Sequence, residues 1–246
     1  MKILIVFAHP EPHSFNGALK ECVLTTFRAQ GHEVMVSDLY AMNWKAELDQ
    51  DDFQGRRHNP GYLDISREQE HMMATYGPTE DVLAEQAKVL WCDLLIFQFP
   101  MWWFGMPAIL KGWVDRVMAR GFAYAKGRKY DTGMFKGRRA MISVTTGTAA
   151  SLYEPDGIDG DLKHILWPIH NGIFRYLGFD VLPPYPVWMP AGLSPEERAA
   201  SLASYSEHLK NLDQVDPLFF HPSEDYGPDQ RLKPGVEARS GFQWNP

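Results

Sequence analysis

Short apolar runs alternate with helical periodicity along most of this chain, and this alternation restricts the fold more than any other feature of the sequence. The first run, KILIVFA at residues 2–8, has no polar residue after Lys2. Such a run is typical of a parallel strand buried on both faces, because a half-exposed strand alternates apolar and polar side chains. The same reasoning predicts further strands at residues 33–39, 94–99, 138–146 and 179–188. Helices are predicted at residues 16–31, 79–93, 106–120, 161–178 (kinked near Pro168) and 194–212.

The order of these elements predicts an α/β fold. Because each strand is followed by a helix or a long excursion, we expect a right-handed, doubly wound parallel sheet of five strands. A short first strand-to-helix loop fits the flavodoxin-like strand order 2-1-3-4-5. We place one domain at residues 1–215 and an extended C-terminal tail, rich in proline and glycine, at residues 216–246. We expect the tail to dock on the domain or on a partner subunit. The polar segment 43–78 is too long for a simple connection and predicts a functional or interface excursion.

Composition excludes several classes of partner. A net charge of −7 disfavours nucleic acid and anionic membrane surfaces. No apolar run approaches the ~18 residues of a membrane span, and the first run is too short for a signal peptide. Cys22 and Cys92 lie far apart and lack histidine or cysteine neighbours at ligand spacing. We therefore expect reduced cysteines, no metal site and a cytoplasmic protein.

Ligands of doubly wound sheets bind beyond the carboxyl ends of the strands, where the strand order reverses. In the predicted order, three loops meet there: residues 8–17, 99–107 and 145–161. The site is therefore expected among these loops.

The first loop has the chemistry of a phosphate site. His9, Ser14 and Asn16 add side-chain donors to the amides at the start of a helix. Neither GxGxxG nor GxxxxGK[ST] is present, so the usual dinucleotide and P-loop fingerprints are absent. An ordinary helix cap at Ser14 and a structural histidine at His9 remain an equally good interpretation.

The other two loops add an aromatic wall and free amides. Trp103 and Phe104 offer a π surface, although dimer packing or a simple core would explain them too. The run Thr145-Thr146-Gly147 can bring backbone amides close to a ring, and Tyr153 follows it. Anion donors, an aromatic wall and free amides together indicate a flat heterocycle with a phosphate tail, such as a flavin.

Several longer motifs make a specific resemblance. They are SDLYAMN (37–43), DLLIFQFP (93–100), WFGMPAILKGWVDRV (103–117), FAY (122–124), SVTTG (143–147) and ILWPIHNGI (165–173). In order and content they resemble the NAD(P)H:quinone oxidoreductase family of the DT-diaphorase type, from residue 2 to about residue 222. The resemblance implies an FAD enzyme that transfers a hydride from NADH or NADPH to quinones. It also implies a homodimer with both active sites at the subunit interface. Because nicotinamide and acceptor would use one slot in turn, a ping-pong mechanism is expected.

The resemblance also assigns roles to individual positions. It places the cofactor on His9, Ser14, Phe15, Asn16, Pro100, Met101, Trp102, Trp103, Phe104, Thr145, Thr146, Gly147, Tyr153 and Arg198. Tyr153 and Asp159 fall on the catalytic positions, and Tyr124, Lys126, Trp103 and Phe104 on the substrate pocket. Arg198 and the family favour FAD over FMN.

Several positions depart from the family pattern. Asp159 replaces a histidine that usually works with the tyrosine, and Thr148 replaces a common glycine. Lys126 replaces a second pocket tyrosine, and Trp102 stands where a polar residue is common. Because an ionised Asp159 would repel a reduced flavin, we expect it to point away or to orient Tyr153. The zinc-ligand set of one branch of the family is missing, since Asn171, Arg175 and Leu177 occupy that region.

Other functions remain open at the level of sequence. The chain could be a flavin-bearing ancillary subunit of an ion-efflux system, or an electron-transfer module without substrate chemistry. Tyr153 and the 43–78 excursion argue against the second, because an electron shuttle needs an exposed flavin edge. Within the enzyme class, nitro or azo compounds are alternative acceptors.

Overall fold

A computed structural model describes residues 1–239 and contains one parallel sheet. Its strands are β1 (Lys2–Phe7), β2 (Glu33–Asp38), β3 (Leu94–Pro100), β4 (Arg139–Thr146), β5 (Asp180–Val181) and β6 (Tyr185–Trp188). The order is β2-β1-β3-β4-β5, and β6 also pairs with β4. The predicted flavodoxin-like order is confirmed.

The predicted fifth strand, 179–188, is divided into two short strands. Val181 pairs with Ala140 of β4, and Tyr185 pairs with Ser143 further along the same strand. Pro183 and Pro184 lie between the two pieces. Because proline has no amide hydrogen to donate, the ladder is interrupted there.

Helices cover both faces of the sheet. They are α1 (Phe15–Ala29), α2 (Ile65–Ala74), α3 (Glu80–Trp91), α4 (Ala108–Val117), α5 (Leu162–Ile165), α6 (Trp167–Ile169) and α7 (Pro195–Lys210). A π-helical segment, His170–Arg175, follows α6. The single helix predicted over 161–178 is therefore broken around Pro168, where the kink was expected. None of the helices in residues 1–239 is long and apolar enough to cross a membrane.

Side chains alternate between two apolar cores. Ile3, Ile5 and Phe7 pack with α1 and α7 on one face. Leu4 and Val6 pack with α3 and α4 on the other. Burial on both faces explains why β1 reads as a continuous apolar run.

The 43–78 excursion folds back onto α4 through buried charges. Arg116 Nε donates to Asp52 Oδ1 at 2.6 Å, and both side chains are almost fully buried. Lys45 Nζ reaches the other oxygen of Asp52 at 3.2 Å, while the Arg116 guanidinium lies over the Trp44 ring. The excursion also contains α2, which the sequence pattern did not reveal.

The tail contacts the domain of its own chain as far as it is described. The Leu218 amide donates to the Val181 carbonyl at 2.7 Å. Arg175 donates to the His221 carbonyl and lies between the rings of Tyr130 and Phe220. Residues 240–246 of the predicted tail lie outside the described residues.

Candidate functional site at the carboxyl edge of the sheet

A cavity of about 970 Å³ lies at the carboxyl ends of β1, β3 and β4. The predicted residues that line it are His9, Ser14, Phe15, Asn16, Pro100, Met101, Trp102, Thr145, Thr146, Gly147 and Arg198. Further lining residues were not predicted from the sequence: His13, Ala18, Met189, Pro190, Ala191, Gly192 and Leu202. Several of these lie between β6 and α7, where only proline and glycine marked a turn.

The start of α1 forms one wall. Ser14 is the N-cap, with its hydroxyl accepting a hydrogen bond from the Gly17 amide at 3.2 Å. A side chain at Gly17 would collide with the carbonyl of Pro12, so the helix and the first loop pack closely. His9 Nδ1 lies 3.0 Å from the Glu11 amide, which donates to it. Ser14 is therefore a helix cap, and His9 holds the backbone of the first loop. The capped start of α1 places its free amides at the cavity.

A buried chain of side-chain hydrogen bonds connects this wall to β3 and β4. Gln98 Nε2 donates to Asn16 Oδ1 at 2.9 Å, and Asn16 Nδ2 donates to Thr145 Oγ1 at 2.8 Å. Gln98 was not among the predicted site residues. The signal for it was a single polar residue inside the apolar run LLIFQF.

The aromatic loop makes a tight two-residue turn. The amides of Trp102 and Gly105 each donate to the other's carbonyl, at 3.1 and 3.0 Å. Trp103 and Phe104 both have positive φ, 51° and 57°, as in a type I′ turn. Bulky residues are rare there, because the left-handed conformation costs roughly 1–2 kcal/mol per residue.

This turn directs the expected aromatic wall away from the cavity. The Trp103 side chain is 98% exposed and Phe104 is 49% exposed, and neither lines the cavity in the single chain. Met101 and Trp102 occupy that wall instead. The sequence could not tell adjacent tryptophans apart, because their directions depend on the backbone of the turn.

Tyr153 lies in the third loop and is nearly buried. Its ring packs on Trp188 at 5.2 Å, and its oxygen accepts a hydrogen bond from Thr148 Oγ1 at 3.0 Å. The hydroxyl hydrogen of Tyr153 therefore remains available to donate. In residues 1–239 the carboxylate of Asp159 makes no hydrogen bond and no ion pair, so it does not orient Tyr153 in this chain.

A second, smaller cavity of about 450 Å³ is lined by Tyr153 and Trp188, neither of which lines the main cavity in the single chain. His170 lines it, and burial lowers the pKa of His170 to about 4. The imidazole is therefore neutral near pH 7. It supplies no positive charge to the tyrosine side of the site.

Arg198 lines the main cavity and carries a positive charge. Its Nη2 donates to the Ala191 carbonyl at 3.3 Å, and within the described chain it forms no ion pair. A charged guanidinium without an acid partner can bind an anionic group.

The two remaining pocket residues lie elsewhere on the chain. Tyr124 packs against Tyr176 at 5.5 Å and lines a separate cavity of about 380 Å³. Lys126 is exposed. Within one chain, neither contributes to the main cavity.

Residues 1–239 hold no group of three or more His, Cys, Asp and Glu side chains that could bind a metal ion. Cys22 and Cys92 are free, and burial raises the pKa of Cys92 to about 12.

Comparison with known proteins agrees with this geometry. Residues 1–211 match the model of the flavodoxin-like fold family. The ribosyldihydronicotinamide dehydrogenase [quinone] of Mus musculus is 42% identical over 221 residues, covering 90% of this chain and 96% of that protein.

The chain belongs to the NAD(P)H:quinone oxidoreductase family. NAD(P)H dehydrogenase [quinone] 1 of Rattus norvegicus is 40% identical over 222 residues, covering 90% of this chain and 81% of that protein. A candidate quinone reductase from Klebsiella pneumoniae has a similar crystal structure, with a TM-score of 0.93, 42% identity and 98% of both chains covered. The family suggested by the sequence motifs is confirmed.

Proposed function

We propose that this chain is an NAD(P)H dehydrogenase (quinone) that holds FAD in the carboxyl-edge cavity and works by a ping-pong mechanism. The observation that carries the proposal is the combination of donors in that cavity. The start of α1, the Asn16–Thr145 pair and Arg198, which forms no ion pair within residues 1–239, all line one space at the strand-order switch. The sequence similarity to named quinone dehydrogenases supports the same activity.

The cavity suits a flavin with a long phosphate-bearing tail. About 970 Å³ is at the upper end of ordinary ligand pockets. The cavity extends from the start of α1 to Arg198 at the beginning of α7. Because anionic groups bind both at helix N-termini and at unpaired arginines, this extent supports a second phosphate, and hence FAD rather than FMN.

A flavin held in this cavity would supply the redox chemistry, the transfer of a hydride between nicotinamide and quinone. The protein would hold and tune it. Asn16 and Thr145 would donate hydrogen bonds to its acceptor atoms. The free hydroxyl hydrogen of Tyr153 would stabilise negative charge that develops on the ring. Within the described residues, the Asp159 carboxylate has no hydrogen-bond or ion-pair partner that would bring it into this role.

The exposed aromatic turn supports a homodimer. Trp102, Trp103 and Phe104 are large, adjacent and exposed, which is unusual on a monomer surface. Tyr124 lies beside a separate groove that could receive such a surface from a second copy. A two-fold dimer would complete each site with Tyr124 and Lys126 of the partner subunit. Light scattering at micromolar concentration should give twice the 28.1 kDa of the chain.

The free cysteines support a cytoplasmic location. Cys22 and Cys92 are unpaired. Reduced cysteines are usual in the cytoplasm, where the coenzymes NADH and NADPH are also present.

The decisive experiment identifies the flavin and its kinetics. We expect a yellow protein that releases FAD on denaturation and gives parallel initial-rate lines with NADPH or NADH and a benzoquinone. A nitroarene and an azo dye assayed alongside should show lower kcat/KM. Protein that is colourless and takes up neither FAD nor FMN would rule out the proposal.

Arg198→Ala tests the choice of FAD. It should weaken FAD binding by about tenfold, as expected for the loss of one charge-assisted hydrogen bond, and leave FMN binding within twofold. Lys210→Ala is the matched control, because it removes a cation from the other end of the same helix. Equal losses for FAD and FMN would show that Arg198 does not contact the distal part of the cofactor.

A further inference from the structure

Gln98 is a polar residue in a strand whose other side chains are apolar and buried. Every residue of β3 is buried, and the exposed fraction of Gln98 is 0%. A primary amide costs free energy at such a place unless it is hydrogen-bonded, whereas an apolar side chain would not. Gln98 Nε2 donates to Asn16 Oδ1, and its own Oε1 has no partner within residues 1–239. Within residues 1–239, the Gln98 side chain therefore acts only as a hydrogen-bond donor, to Asn16.

The hydrogen bonds continue from Asn16 to the cavity. Asn16 Nδ2 donates to Thr145 Oγ1 at 2.8 Å. Asn16 and Thr145 both line the carboxyl-edge cavity, and Gln98 does not. We call this chain, Gln98–Asn16–Thr145, the amide relay.

The relay decides which atoms the cavity wall presents. Because Gln98 occupies Asn16 Oδ1, the Asn16 NH₂ group is left for Thr145 and for the cavity. Because Thr145 Oγ1 accepts from Asn16, its own hydrogen can turn toward a ligand.

A reversed Asn16 amide would have the opposite effect. Its NH₂ group would face the NH₂ group of Gln98, which is unfavourable. Its oxygen would accept from Thr145 and leave lone pairs of the hydroxyl facing the cavity. Reversing the Gln98 amide as well would leave its buried NH₂ group, with two hydrogens to satisfy, without a partner in residues 1–239 in place of its Oε1. Gln98 thus favours the orientation in which Asn16 and Thr145 both offer hydrogens.

We propose that Gln98 is a positioning residue for cofactor binding, which acts through Asn16 to make this part of the wall a donor surface for flavin oxygens. The inference rests on the proposed function and names the device by which the site matches its ligand. Gln98 itself does not touch the flavin. Its effect on affinity exists only while Asn16 is present to be oriented.

A role in strand packing alone makes a different prediction. If Gln98 merely fills space, replacing it would harm flavin binding to the same extent with or without the Asn16 side chain. Ser143 provides a matched control, because it is fully buried, polar and opposite Gln98 in the β3–β4 register. It takes no part in the relay.

The test is a double-mutant cycle with the dissociation constant of flavin from the apoprotein as the readout. Gln98→Met removes the donor at similar volume and should weaken binding by about tenfold, a typical effect for a mis-set buried hydrogen bond. In an Asn16→Ala background, Gln98→Met should change the constant by less than about twofold. Ser143→Ala should change it by less than about twofold in both backgrounds.

Several outcomes would overturn the inference. An equal loss in both backgrounds would assign Gln98 to packing, and unchanged binding in Gln98→Met would show that no orientation is being set. Gln98→Leu repeats the cycle if the methionine variant does not fold, judged by circular dichroism of the apoprotein. Thr145→Val tests the far end of the relay with β3 intact, and should keep part of its effect in the Asn16→Ala background, because Thr145 also lines the cavity and donates to the flavin directly.

Failure of the proposed function gives a separate result. If the unmodified chain takes up neither FAD nor FMN, both the function and this inference are wrong. If it binds flavin normally and Gln98→Met binds equally well, only the inference is wrong.

Discussion

The two loops that flank the carboxyl-edge cavity are built in opposite ways. At the first loop, Ser14 caps α1, Gly17 packs closely against Pro12, and Asn16 is hydrogen-bonded to the central strands. The aromatic turn at Trp103 and Phe104 has left-handed backbone and side chains directed to solvent. One chain completes the first wall by itself. The aromatic turn keeps a costly left-handed backbone, although the side chains of Trp103 and Phe104 gain little burial within one chain. This suggests that its contacts come from a bound molecule or a second subunit.

The largest expected effect comes from a substitution at the start of α1, where it packs against the first loop. Gly17→Ala places a methyl group against the Pro12 carbonyl, and we expect a loss of about 3 kcal/mol in unfolding free energy together with loss of flavin binding. Urea unfolding and flavin titration measure the two effects.

Gly105→Ala is the matched change in the aromatic turn. A methyl group there meets no atom closer than 3.9 Å, and Gly105 does not need positive φ. We expect a change below about 0.5 kcal/mol. Equal effects at the two glycines would remove the contrast between the walls.

Relieving the aromatic turn should stabilise the isolated chain. The double variant Trp103→Asn with Phe104→Gly supplies the residues that a type I′ turn favours. We expect a gain of about 2 kcal/mol in the unfolding free energy of the apoprotein at low concentration. Turnover should fall, since the apolar surface is lost.

Ile158→Asn is the control for lost apolar surface. Ile158 is exposed, and its backbone is not left-handed. The control should change stability by less than about 0.5 kcal/mol. A loss of stability in the double variant would mean that the two aromatic side chains are supported within the chain.

Substitutions in the third loop test which of its side chains affects the rate of flavin reduction. Tyr153→Phe should slow flavin reduction by NADPH by about tenfold in stopped flow, because it removes one donor to developing charge. Thr148→Val should slow it by about threefold, since the Thr148 hydroxyl holds the tyrosine oxygen. Asp159→Asn should change the rate by less than about twofold. If Asp159→Asn were the most damaging of the three, the aspartate would have a direct role.

The smallest effect separates helix capping from ligand binding. Ser14 and Ser194 are both N-caps, of α1 and α7, and each accepts from a backbone amide at 3.2 Å. Replacing either with alanine should cost about 1 kcal/mol of stability. Only Ser14→Ala should also weaken flavin binding, because only Ser14 lines the cavity. Equal flavin affinity in the two variants would limit Ser14 to its structural role.

Much of the fold could be read from the sequence because it depends on local pattern. Burial on both faces made the central strands mostly apolar runs, and their alternation with helical segments predicted the flavodoxin-like strand order. The place of the site followed from that order, and His9, Ser14, Asn16 and Thr145 were found where the strand ends meet. The family motifs identified the family from residue order alone.

Other features depended on partners far apart in the chain. Gln98 lies 82 residues from Asn16, and Asn16 lies 129 residues from Thr145, so no local pattern could pair them. The division between Trp102 at the cavity and Trp103 in solvent follows from two backbone angles in one turn. Asp159 could be placed near Tyr153 or away from it by sequence alone, and the fold leaves its carboxylate without a partner in the described residues. Periodicity is a property of neighbours along the chain, and it fixed the sheet and the edge that holds the site. Hydrogen-bond direction and side-chain exposure depend on neighbours in space, so only the tertiary structure decided them.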